Sequence, residues 1–410
     1  MLTRHVLFLC RYDPNTATTG DTFYSTQLIH ALSGISEKVT VVCHAKAATP
    51  RLVDLVQFGS NVRIIRLPPV RKSLPARTAT RAPNVVTMSH DATTCAQLAK
   101  LCSRETPTTI VCSHLATTWS LRQNSTGNIP SVYVSQNIEG DVRRTILHST
   151  SFPQPRFFAH ALELLRTSIY ERESLASAST FTAISTGDAQ RFEALYGRIP
   201  CAIASPVCEQ SFTDRQIDAD QPLEACISGS YLWEAKLRNL RMFLTAARKP
   251  FAEAGVKTTV VGQMSPSNLE RFRRMWPEVN FTGPVPSPAM YLQRARIGVI
   301  PELAGGGFKL KQLEYVSAGL PVYALRKAVA DVPLHDRVSA RLFDSMQQLT
   351  SGIAHDIADI ATLNRLQLAA RRLALEDKWD DVSRLSKCIE QALDHVLSRS
   401  NHGRLVPNGT

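Results

Sequence analysis

The sequence predicts an α/β protein made of two successive Rossmann-like units, each a parallel sheet covered by helices, facing one another across a cleft. Three observations predict it. Short apolar runs bounded by turn residues alternate with longer segments of helical spacing, as in a parallel sheet with both faces covered. The alternation fills residues 1–205, then starts again after a joint between Pro206 and Pro222 and continues to about residue 384. And 410 residues exceed what one hydrophobic core usually holds.

In the first unit the strand candidates are Val6–Leu9, Val39–Val42, Val62–Ile65, Thr109–Cys112, Ser131–Val134 and Phe181–Ile184. Phe23, Leu28, Ala31 and Leu32 mark a helix over residues 22–32. In the second unit they are Glu224–Ile227, Lys257–Val261, Asn280–Thr282, Ile297–Ile300 and Leu320–Tyr323. A helix is expected from about Leu237 to Ala247, and another through Leu313 and Val316. Ligands of open parallel sheets bind beyond the carboxyl ends of the strands, so the residues just after each strand are the ones to inspect.

Composition excludes several classes. With 44% hydrophobic and 20% charged residues, the chain is neither disordered, collagenous nor coiled coil. No apolar run approaches the roughly 18 residues a membrane span needs. Residues 1–10 read as a first buried strand and not as a signal peptide, because no small-residue cleavage site follows them. Nine cysteines without a Cys-x-x-Cys pair read as reduced core thiols, which places the chain in the cytosol.

The formal net charge is +12. Between Leu55 and His90 there is no acidic residue, while Arg63, Arg66, Arg71, Lys72, Arg77 and Arg81 accumulate. This stretch is either a solvated basic loop or a surface for phosphates, whether of an anionic leaflet, a pyrophosphate-bearing substrate or a nucleic acid. Stacking aromatics and nucleic-acid motifs are absent, so nucleic acid fits least.

The most specific segment runs from Ile300 to Val322, IPELAGGGFKLKQLEYVSAGLPV. A strand ends at Pro301, Gly305, Gly306 and Gly307 remove side-chain obstruction, and a helix begins. Its first amides beside Lys309 suit a diphosphate. Glu314, farther along the helix, suits the paired hydroxyls of a ribose. A plain tight turn and a solvated glutamate are the structural alternative.

This segment resembles the donor-binding signature of retaining glycosyltransferases of the GT-B fold, especially the family called GT4, with Glu314 through Val322 matching the ending Glu-x-x-x-x-Gly-x-Pro-Val. The resemblance implies that Glu314 binds the ribose and that Gly305, Gly306, Gly307 and Phe308 line the sugar and pyrophosphate. Other matches follow in order. Gly229 and Ser230 resemble the first donor-domain loop, with Lys236 at the lysine that neutralises the leaving diphosphate, reinforced by Lys309. Gly283 and Val285 resemble the turn that reads the base. Gly20 and Asp21 look like the opening loop and helix of the acceptor domain, where Asp21 serves equally as a helix cap. His114 stands where many members keep a histidine near the reacting sugar, and Gln136-Asn137 resembles an acceptor-shaping segment. Lys378-Trp379-Asp380 looks like the turn before a last helix, about 385–400, that returns to the first domain.

Two positions depart from the pattern. Gly306 replaces a first glutamate, with Glu302 as a substitute, and Ser230 replaces an arginine. There is no Walker loop, complete dinucleotide fingerprint, zinc spacing or Gly-x-Ser-x-Gly elbow. The expectation is therefore a metal-independent retaining glycosyltransferase (EC 2.4) with no cofactor, His114 and Lys236 being its catalytic candidates. It moves a sugar from a nucleotide-diphosphate donor to a hydroxyl acceptor, lipid-linked and in cell-envelope or exopolysaccharide synthesis. The chain is expected to be cytoplasmic, peripheral at the inner face of the plasma membrane. The competing reading is a non-catalytic nucleotide-sugar-binding partner or regulatory subunit of a transferase complex.

Overall fold

The computed structural model describes residues 4–16, 20–44, 58–70, 72–73, 79–122, 129–148, 150, 152–208, 212–303, 310–329, 334–379 and 381–404. Contacts divide the chain into two compact units. One comprises Met1–Pro206 with Val382–Thr410, the other Val207–Gly305 with Lys309–Asp381.

The first unit holds a seven-stranded parallel sheet in the order β3-β2-β1-β4-β5-β6-β7. Its strands are β1 (His5–Leu9), β2 (Lys38–His44), β3 (Val62–Leu67), β4 (Thr109–Ser113), β5 (Ser131–Val134), β6 (Thr180–Ala183) and β7 (Ala202–Ile203). β1, β4 and β5 are buried at every position, which is why their centres read as apolar runs. The last helix, Val382–Arg404, packs on the helix Gly20–Ile35 of this unit. Arg4 ties it down through Glu390 at 3.1 Å and Asp394 at 2.5 Å.

The second unit holds a six-stranded parallel sheet, β10-β9-β8-β11-β12-β13. Here β8 is Glu224–Ser228, β9 Lys257–Val261, β10 Asn280–Gly283, β11 Ile297–Ile300, β12 Val322–Leu325 and β13 Arg341–Phe343. Strand order reverses between β8 and β11, the position at which open parallel sheets form a ligand crevice.

The structure alters several expectations. The helix expected to stop at Ala247 runs Glu234–Ala254, through Pro250. Pro250 removes the amide that would bond the Ala246 carbonyl, and Thr350 Oγ1 donates to that oxygen instead, at 3.5 Å. The strand expected at Leu320 begins at Val322, because Gly319 turns the chain at φ 65° just before it. β7 and β13, two and three residues long, were too short for the pattern to show. All nine cysteines are free thiols, six of them buried.

Candidate functional site

Three glycines follow or end adjacent strands in the second unit, and each is there for a geometric reason. Gly229 follows β8, Gly262 follows β9 and Gly283 ends β10. A Cβ on Gly262 would lie 1.8 Å from the Gly229 carbonyl oxygen, and its φ of 132° disfavours any other residue. Gly229 N donates to Val261 O at 2.9 Å, and Gly262 N to Gly283 O at 3.2 Å. The strand ends are thus laced together by backbone alone, leaving a floor without side chains.

Onto that floor comes Lys311, from the helix Leu310–Ser317. A Cβ on Gly229 would lie 2.9 Å from Lys311 Cε. The Lys311 ammonium is held by Glu302, just beyond β11, at 3.0 Å, with the two side chains only 14% and 8% exposed. It also stands 6.0 Å from the centre of the buried Tyr231 ring.

Three residues farther along the same helix, Glu314 turns toward the end of β8. Ser228 Oγ donates to Glu314 Oε2 at 2.6 Å. Beneath it, the Tyr315 hydroxyl accepts the Ser228 amide at 2.8 Å. Tyr315 reaches that place because Gly298 gives it room: a Cβ there would meet the ring at 2.6 Å. Glu314 is half-buried, and burial raises its pKa, offset by the Ser228 hydrogen bond and by Lys311. It does not face bulk solvent.

Lys236 is half-buried in the first turn of the helix Glu234–Ala254. Trp233, at the N-cap, offers no side-chain bond, so the first amides of that helix are not capped by it. Ser230 and Val285 are half-buried just past β8 and β10, and the intervening Pro284 is exposed. Gly305, Gly306, Gly307, Phe308 and Lys309 lie outside the described residues. Ser228, Gly262, Lys311 and Tyr315 were not singled out in the sequence. Lys311 stands three residues before Glu314, on the same helix face, and that spacing was the available signal.

In the first unit, the corresponding strand ends are occupied. His114, at φ 81°, accepts the Ala116 amide on Nδ1 at 2.9 Å and faces Glu139 Oε1 through Nε2 at 3.1 Å. Both ring nitrogens of this catalytic candidate are thus engaged within the unit, one by a backbone amide and the other by a buried carboxylate. Burial pushes the Glu139 carboxyl up, but His114, Arg143 and Arg11 more than reverse this and leave it below its ordinary value. Gln136 Nε2 donates to Ser113 Oγ at 2.8 Å and to Ser25 Oγ at 3.3 Å. Asn137 accepts the Ser135 hydroxyl on its backbone oxygen at 2.8 Å. Gly20 opens its helix in an exposed position, and Asp21 Oδ1 accepts the Thr22 amide at 3.1 Å.

The acid-free basic stretch is not acid-free in space. Arg63 pairs with Glu105 at 2.9 Å and Arg66 with Asp13 at 2.5 Å. Glu105, also gripped by Lys38 and Arg104, is held down to about 2 by those partners. Arg63 and Arg66 are thus not an uncompensated anion surface, because β3 lies beside β2 and brings distant carboxylates to them. Lys72 is half-buried and Arg81 exposed, while Arg71 and Arg77 lie outside the described residues. No helix among the described residues is long and apolar enough to cross a membrane.

Comparison with known proteins assigns the arrangement. Residues 224–359 match the family model described as glycosyl transferases group 1. This interval begins with β8 and contains the glycine floor, Lys311 and Glu314. Residues 224–359 are thus similar to group 1 glycosyltransferases, and the two parallel-sheet units have the GT-B fold. Solved structures similar to this GT-B chain include sucrose-phosphate synthase from Thermosynechococcus elongatus, at TM-score 0.72 and 14% identity over 97% of this chain and 100% of that one. HepE from Anabaena, in complex with UDP-glucose, aligns at TM-score 0.64 and 13% identity over 95% of this chain and 99% of its own. WaaG, a glycosyltransferase involved in lipopolysaccharide biosynthesis, aligns at TM-score 0.61 and 14% identity over the same shares. No curated protein sequence shows significant similarity to this chain.

Proposed function

We propose that this chain is a retaining, GT4-like glycosyltransferase that transfers a sugar from a nucleotide-diphosphate donor to a hydroxyl acceptor. One observation supports it most: Glu314 and Lys311 stand together at the β8/β11 reversal over a floor of glycine backbone. A carboxylate beside a serine hydroxyl accepts ribose hydroxyls, and an ammonium over bare backbone meets diphosphate oxygens. HepE, in its complex with UDP-glucose, supports the same class of donor for this chain.

Catalysis on this reading is electrostatic and positional. Lys236, Lys311 and the N-terminus of the helix Glu234–Ala254 meet charge growing on the leaving diphosphate, and chelation of metals leaves the reaction rate unchanged. The departing phosphate oxygen takes the proton of the acceptor hydroxyl, so His114 positions Glu139 and the β4 end without exchanging protons. The acceptor is a lipid-linked or polymeric sugar of the cell envelope, met by the enzyme as a cytoplasmic peripheral protein. WaaG and the net charge of +12 support that part.

The test is a panel of nucleotide sugars, read first by thermal stabilisation and then by transfer. One donor is expected to raise the melting temperature and to be consumed with EDTA present. Glu314→Ala and Lys236→Ala should each abolish consumption. A donor that binds but is never consumed with any acceptor or water would instead make the chain a binding partner.

A further inference from the structure

The helix Pro155–Ser177 wears its side chains inside out. The face turned into the first unit carries Glu163, Thr167, Tyr170, Glu171, Ser174 and Leu175, all buried. These make the attachments: Glu163 accepts the Asn84 amide at 2.7 Å, Glu171 those of Glu139 and Gly140 at 2.8 and 3.1 Å, and Ser174 meets Thr118 at 2.8 Å. The solvent face carries Phe158, Leu162, Leu165 and Ile169, which are 57%, 48%, 58% and 50% exposed. At about 100° per residue these four fall within a stripe roughly 60° wide and 17 Å long. Phe152, 69% exposed, extends it, its ring clustered with Phe157 and Phe158 at 5.4 and 6.0 Å.

A helix of a water-exposed surface turns such residues inward, so the stripe calls for an occupant. Charge says which. Arg172 is exposed beside the stripe, and Arg166 borders its other flank. The exposed acid of this face, Glu173, is taken by Arg122 at 2.5 Å. A second copy docked by two-fold symmetry would set arginine rim against arginine rim. An anionic bilayer takes the apolar side chains at the acyl boundary and the guanidinium groups at the lipid phosphates.

We propose that the outer face of the helix Pro155–Ser177 docks the protein on an anionic lipid surface. The assignment rests on the peripheral-protein part of the proposed function but not on the stretch between Arg63 and Arg81, two of whose arginines are committed to carboxylates.

Flotation of the full chain tests it, with vesicles of phosphatidylcholine alone or with roughly one third phosphatidylglycerol. The protein is expected to float with the anionic vesicles and not with the neutral ones. The combined Phe158→Ser, Leu165→Ser and Ile169→Ser variant should lose about tenfold or more of that partitioning, with its melting temperature kept. Should the triple variant not fold, Leu165→Asp alone reads the same surface. Arg172→Glu should lose severalfold. Failure of the parent chain to float with anionic vesicles overturns the proposal, as does a folded variant that floats as well as the parent. A variant that splits a dimer and leaves flotation intact reassigns the stripe to a second copy.

Discussion

The two sheets end in opposite ways, and the contrast separates structure from chemistry. Beyond β4 and β5, polar groups close on one another: His114 with Glu139, Gln136 with Ser113 and Ser25, Glu171 with two amides and the Tyr196 hydroxyl. Beyond β8, β9 and β10, glycines strip the floor bare, and a carboxylate and an ammonium stand over it, held by Ser228 and Glu302 respectively. Saturated networks rigidify a unit, whereas a site keeps binding capacity for what arrives.

The harshest way to break the contrast is Gly262→Ala. With its Cβ 1.8 Å from a carbonyl oxygen at φ 132°, it should destabilise the second unit by more than about 3 kcal/mol in chemical denaturation. Gly255→Ala, at φ 66° with open space around it, should cost only about 1 kcal/mol. Equal losses would show that the floor is not closely packed.

Next in size, Glu314→Gln and Lys311→Met should each lower kcat/KM about a hundredfold while leaving the melting temperature nearly unchanged. Glu139→Gln should do the reverse, lowering stability by about 2 kcal/mol with donor affinity kept.

Two carboxylates of the first unit sharpen the picture through pH. Glu139 is held below its ordinary value, so its contribution is present above the unfolded carboxylate range and is lost as pH falls through the folded pKa. Glu171 is pushed up to about 7, chiefly by burial. Its contribution is full below about 4.5 and is lost as pH rises through 7, at most about 3 kcal/mol. Thermal melts of Glu171→Gln should therefore lack the decline between those pH values that the parent shows. Smallest of all, Arg63→Ala should move stability by no more than about 0.5 kcal/mol, because its pair with Glu105 is half exposed on the arginine side.

Most strands were legible because a parallel strand buried on both faces is mainly apolar, and Val6–Leu9, Val132–Val134 and Ile297–Ile300 are. Helix ends were less legible: Pro250 reads as a stop until Thr350, a hundred residues on, is seen covering the freed carbonyl. Glu314 was legible through its motif, and Lys311 was not, since a lysine on a helix has no sequence mark for what lies beneath it.

The order of residues determined by itself the two α/β repeats and the helix bearing Glu314, since apolar periodicity and glycine placement act locally along the chain. Which charges remain available was decided by tertiary structure. Arg63 and Arg66 meet carboxylates brought by neighbouring elements, His114 spends both nitrogens inside its own unit, and Lys311 reaches open backbone only because β8 and β11 lie side by side. The physical reason is range: backbone preference is settled within a few residues, whereas a charge is set by whatever the fold brings within about 4 Å of it.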